Sequence, residues 1–178
     1  MLRSEFPFKI SVVSSPDKLA ESMLQNYREL KPSDDTSPPS YEIKMDVSGI
    51  SVRLHIKQIQ LGNKIPTSRM KEFQGSIGMI YIFENKDLTL FNEVKTDYYT
   101  FEHLYKTVNI QPVFLGVGNK QDSNVMKHIH QTLKEMNHKL DELEQNRNNS
   151  FTQLIRSVII KSKSFQSTTQ GSCDINLE

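Results

Sequence analysis

The stretch Pro112-Val113-Phe114-Leu115-Gly116-Val117-Gly118-Asn119-Lys120-Gln121-Asp122 decides how this chain is read. Its first part is apolar and β-prone, so 112–117 reads as a buried strand. The strand delivers a short polar loop at its C-terminal end. In open α/β sheets, ligands bind beside such loops. Asn119 and Asp122 are also residues whose side chains satisfy loop backbone N–H groups. Lys120 adds a positive charge on a long apolar stem.

Working outward, the pattern alternates strand and helix. Phe8 to Val13 reads as a first buried strand, and Asp17 to Leu30 as a helix with Leu19, Met23, Leu24 and Tyr27 at helical spacing. Pro16 fits just before that helix. Residues 31–40 form a polar, Pro-rich loop. Tyr41 to Val47 and Ser51 to Gln60 read as a hairpin turned at Ser48-Gly49. Leu61 to Ser76 reads as a loop with some helix. Ile77 to Glu84 is a continuous apolar run, as a central parallel strand requires. A helix is expected over 88–106, one long helix or two short ones over 125–143, and an amphipathic helix over 150–161. The order implies a doubly wound, mostly parallel α/β sheet with helices on both faces and one antiparallel strand. Domain boundaries are expected at 1–161, with 162–178 a polar tail.

Composition narrows the function classes. The chain has 178 residues, 36% hydrophobic and 24% charged, which suits one domain with a full core. A net charge of +1 offers no general attraction to nucleic acid or an anionic membrane. A single cysteine, Cys173, excludes an internal disulfide framework and a Cys-based zinc cluster, and implies a cytoplasmic setting. No apolar run is long enough to span a membrane.

The Asn119-Lys120-Gln121-Asp122 loop resembles the guanine-reading loop of the Ras superfamily of small GTPases, nearest to the Rab-like branch. Four other segments carry the resemblance: Val52 to Ile56, Gly78 to Phe83, Asp87 to Val94, and Ser150 to Ile155. It implies a six-stranded sheet with one antiparallel edge hairpin, spanning roughly residues 6–161. It also implies that Asn119, Lys120 and Asp122 face a guanine base. A structural role, satisfying the loop backbone across a vacated pocket, is the other reading of the same residues.

The departures from the family pattern bear on function. A P-loop needs glycines at its bends, a Lys for the β- and γ-phosphates and a Ser/Thr on Mg²⁺. The matching segment runs from Ser14 to Glu21 and holds no glycine. Ala20 stands at the Lys position and Glu21 at the Ser/Thr position. Lys18 precedes the expected Lys by two residues. The second switch should carry Asp-x-x-Gly, but the chain has Gln58-Ile59-Gln60-Leu61, with Gly62 one place late. Thr36 lies near the first-switch Thr. The loop that should complete the base pocket is replaced by Leu140 to Gln145, a helix-favouring sequence.

Other constellations are weak. His128 and His130 are two apart, so their rings leave a helix on different faces and do not converge on a metal. No metal site or catalytic group is expected. Leu133, Met136, Leu140 and Leu143 are spaced three, four, three, which fits a helix stripe packed on the sheet or a short coiled-coil seam. Cys173 sits too far from residue 178 for a four-residue prenylation box.

The expectation is a pseudo-GTPase: a non-catalytic, cofactor-free module that binds protein partners in an intracellular assembly. Its contact surface would be switch-like, with Thr36, Tyr41, Gln58, Gln60 and Gly62. The alternative is a Rab-like protein in trafficking that binds GTP or GDP with Mg through a non-standard phosphate site.

Overall fold

A computed structural model describes residues 5–30, 39–59, 61, 71–104, 110, 112–118, 124–143 and 148–167. In chain order the elements are β1 (Phe6–Ser15), α1 (Asp17–Leu24), β2 (Arg28–Leu30), β3 (Ser40–Val47), β4 (Ile50–Ile59), β5 (Gly78–Glu84), α2 (Leu88–Leu104), β6 (Pro112–Val117), α3 (Asn124–Glu135), β7 (Leu140–Leu143) and α4 (Asn148–Lys161). The strands form one seven-stranded sheet in the order β2-β3-β4-β1-β5-β6-β7. β1 pairs in parallel with β4 and β5, β5 with β6, and β6 with β7. β3 runs antiparallel to both of its neighbours. The fold is mixed α/β and Rossmann-like.

Two cores follow from the two-residue period of the strands. Ile10, Val12, Leu54, Ile56, Ile80, Ile82 and Leu115 point to one face, where α1 and α4 cover them with Leu24, Phe151, Ile155 and Ile159. Val13, Tyr81, Phe83 and Phe114 point to the other, under α2 and α3 with Phe91, Val94, Ile129 and Leu133. β5 is buried from Gly78 to Phe83, as its unbroken apolar run requires. On the second face Tyr81 stacks on Phe114 at 5.3 Å, and Tyr98 meets both edge-on. The His138 ring nitrogen Nε2 lies 2.8 Å from the Tyr98 hydroxyl. Burial, then Glu102, pushes Tyr98 up to about 12.

Several sequence expectations need correction. The sheet has seven strands, because the helix expected to reach Leu30 ends at Leu24 and residues 28–30 pair with β3. Arg28, Glu29 and Leu30 tolerate helix well, so pairing with Glu42, Tyr41 and Ser40 overrides propensity. The hairpin is therefore not the edge of the sheet, since β2 covers it along 40–42. The helix expected over 125–143 stops at Glu135. Asn137 adopts a left-handed φ of 60°, its N–H donates to the Lys134 carbonyl, and the His138 N–H donates to the Leu133 carbonyl. This is a Schellman cap, and asparagine is one of the few residues that accept its geometry. Leu140 and Leu143 then lie on β7, not on a helix, so no coiled-coil seam exists. The tail expected to begin at 162 stays packed for a further turn. Residues 163–167 are helical, and Phe165, 3% exposed, lies 6.1 Å from Phe8.

Candidate functional site

The parallel strands β1, β5 and β6 end together. Ser15 is in register with Phe83, and Glu84 with Val117. The C-terminal edge they form carries the polar groups Ser14, Ser15, Glu84, Asn85 and Lys86. It also carries Gly118, which precedes residues 119–122 in sequence. Asn119, Lys120 and Asp122 themselves lie outside the described residues, as do Thr36, Gln60 and Gly62.

Where the small-GTPase resemblance expects a phosphate-binding loop, the described residues hold none. β1 continues through Ser15, α1 begins at Asp17, and Pro16 alone connects them. Ser14 and Ser15 pair with Ile82 and Phe83 in the sheet and are 1% and 3% exposed. The Ser15 hydroxyl donates to the Glu93 carboxylate of α2. Ala20, at the position of the P-loop lysine, is fully buried among Leu19, Leu24 and the strands. Lys18 and Glu21 are exposed on α1. A phosphate is held by successive backbone N–H groups free to converge on it. Here 14 and 15 are extended strand residues in register with β5, and proline supplies no N–H at 16.

The base-loop end is built differently. Asn85 follows β5, is 3% exposed, and its N–H donates to the Val117 carbonyl at 3.1 Å. Its side chain fits because Gly116 on β6 and Gly118 just after the strand leave room for it. A Cβ on Gly116 would meet Asn85 Cβ at 3.2 Å, and one on Gly118 would meet Asn85 Oδ1 at 2.3 Å. Gly118 also holds a φ of 149°, which favours glycine. Asn85 thus packs against Gly118, the last described residue before 119. The glycines at 116 and 118 are the signal in the sequence that a side chain has to pass there. Two residues on, the Asp87 carboxylate accepts the Thr89 N–H at 2.8 Å and caps α2.

The switch-like residues that are described are covered. Tyr41 is 5% exposed against α1, and Gln58 is 1% exposed. Neither side chain is presented to a partner in this conformation. They are buried because Tyr41 follows the apolar alternation of β3, and Gln58 lies near the middle of the sheet beside Val12. Burial and the nearby Glu29 and Glu21 raise the Tyr41 phenol above its ordinary value. The polar face of the same strands stays partly open. There Lys9 donates from Nζ to the carbonyls of Glu72 and Gln74 at 2.6 and 2.9 Å. On the hairpin, Glu5 holds Lys44 at 2.8 Å and accepts from Arg53 Nε at 2.9 Å.

Among the described residues, no group of three His, Cys, Asp or Glu side chains is placed to hold a metal ion. None of the described helices is long and apolar enough to cross a membrane. No protein-family profile matches the chain, and no curated protein matches it.

Proposed function

We propose that the chain is a pseudo-GTPase: a small-GTPase-like protein, of the Ras-superfamily, Rab-like kind that its sequence resembles, which does not turn over nucleotide and acts as a protein-binding module in a cytoplasmic assembly. The observation that carries this reading is the junction of β1 and α1. One residue, Pro16, stands where a phosphate-wrapping loop would have to be, and the lysine position is a buried alanine. Phosphate contacts dominate the affinity of a nucleotide site because they are charge-assisted. A loop at 119–122 that selects a base would not by itself supply that energy.

The strand order supports the resemblance. An antiparallel hairpin lies on one side of β1, and three parallel strands follow on the other. With no γ-phosphate to order and release the segments around β3 and β4, the partner surface there would be permanent rather than cycled.

The test is the nucleotide content of the purified, denatured protein by chromatography, with a GTP and GDP titration by calorimetry. The expected result is an empty protein and no titratable heat. Near-stoichiometric guanine nucleotide would overturn the reading. It would leave the alternative, a guanine-nucleotide-binding Rab-like protein in trafficking with an unusual phosphate grip.

A further inference from the structure

A second surface lies at the opposite end of the sheet, around the C-terminal half of α4. A cavity of about 490 Å³ opens between α4, the starts of β5 and β6, and the turn before β7. That volume is within the range of built binding sites. Its floor is apolar, with Ile77, Val113, Leu154 and Val158. Its rim carries Lys139, Lys161 and Lys163 against the single carboxylate of Asp141. The three lysines are exposed, and none has an ion pair among the described residues.

A second groove adjoins the cavity across α4. Ser157 and Lys161 also line a groove on the other side of the helix, against the tip of the β3–β4 hairpin. That groove holds Ile160, 44% exposed and one of two large exposed hydrophobic residues among those described. It also holds the half-buried Arg156, whose guanidinium lines the groove. A guanidinium there offers charge-assisted N–H donors to a carboxylate.

We infer that this surface docks an acidic segment of a partner protein, seating an aliphatic or aromatic side chain on the floor of the cavity and carboxylates on the lysine rim and Arg156. Four cations, Lys139, Lys161, Lys163 and Arg156, against the two carboxylates of Asp141 and Asp46 select an acidic partner. Ser157 and Lys161 line both the cavity and the groove, so an extended chain that crosses α4 reaches both, which a compact small molecule does not. The inference does not rest on the phosphate-site reading, since the surface is at the far end of the strands from 119–122.

The experiment is selection of random twelve-residue peptides displayed on phage against the full chain, followed by fluorescence anisotropy of the recovered peptides. The expected pool is rich in Asp and Glu beside a large apolar residue. Its affinity should fall as salt rises and drop about tenfold or more in a variant carrying Lys139→Glu, Lys161→Glu and Lys163→Glu. Ser157→Trp, which blocks cavity and groove without altering charge, should also abolish binding. Unchanged circular dichroism and thermal midpoint verify that each variant folds. No recovered binder, a pool without acidic residues, or equal binding to both variants overturns the proposal. So does concentration-dependent self-association that the charge variant disperses, which would give the surface to a second copy of the chain. Binding of a single-stranded oligonucleotide, lost in the same variant while no acidic peptide binds, would reassign it to nucleic acid.

Discussion

Gly78 is where the position of α4 on the sheet can be tested most directly. It lies on β5, and a Cβ there would come within 2.2 Å of Val158 Cγ1 on α4. An ordinary carbon–carbon contact is roughly 3.5–4 Å. Val158 is 8% exposed and sits on a helix, where a β-branched side chain has essentially one comfortable rotamer. Gly78→Ala must therefore push α4 outward or force Val158 off its rotamer. Overpacking of this kind costs about 1–3 kcal/mol. The alanine recovers about 0.5–1 kcal/mol, because a glycine in a strand has more backbone entropy to lose. For a chain of 178 residues each kcal/mol moves the thermal midpoint by roughly 2–4 °C. A fall of a few degrees is expected.

Val158→Ala alone should cost about 1.6 kcal/mol from its two lost methyl groups. In the double variant the new methyl at 78 occupies the space left by Cγ1. The double variant should thus be no less stable than Val158→Ala, with a favourable coupling of about 1 kcal/mol or more. Calorimetric or urea unfolding of the four proteins measures it. A Gly78→Ala midpoint within a degree of the parent, or strictly additive effects, would refute the helix placement.

Three further outcomes follow from named contacts. Ala20→Lys, which places a lysine where the small-GTPase resemblance expects one, should destabilise the fold by about 2 kcal/mol or more and confer no GTP binding, because it puts an unpaired charge into the core; urea unfolding and calorimetry read both. Gly118→Ala should destabilise by about 1–3 kcal/mol through its positive φ and its clash with Asn85, and pairing it with Asn85→Ala should recover part of that loss in urea unfolding. Burial holds His138 below the ordinary histidine value of 6.5, and burial with Lys9 and Lys57 does the same for His55. The unfolded chain then takes up protons first, so stability is intact above 6.5 and declines as pH falls from there toward the lower folded-state values; urea midpoints at about pH 7.5 and about pH 5.5 should differ in that direction, and less so in His138→Gln.

Much of the fold was legible because strongly periodic or continuously apolar segments admit one reading. The runs at 78–84 and 112–117 could only be central strands, and the observed bounds differ from the expected ones by a residue at most. The Schellman stop at Asn137-His138 was also written in the chain, but Leu140 and Leu143 at helical spacing concealed it. Of the candidate site, the missing glycines between Ser14 and Glu21 were plain from sequence. That β1 would run on to Ser15, leaving only Pro16 as connection, was not, because a serine pair is equally at home in a loop.

What the sequence determined by itself is the set of elements whose apolar pattern has a single period, and the lack of any glycine between Ser14 and Glu21. Tertiary structure alone decided which short polar segments became strands, β2 and β7, because a three- or four-residue strand exists only through the neighbour it pairs with. It alone buried Tyr41 and Gln58 and slid Asn85 beneath Gly118. It also brought Lys139 into one cavity with Lys161 and Lys163, residues distant in sequence and joined only by the packing of α4 across the sheet.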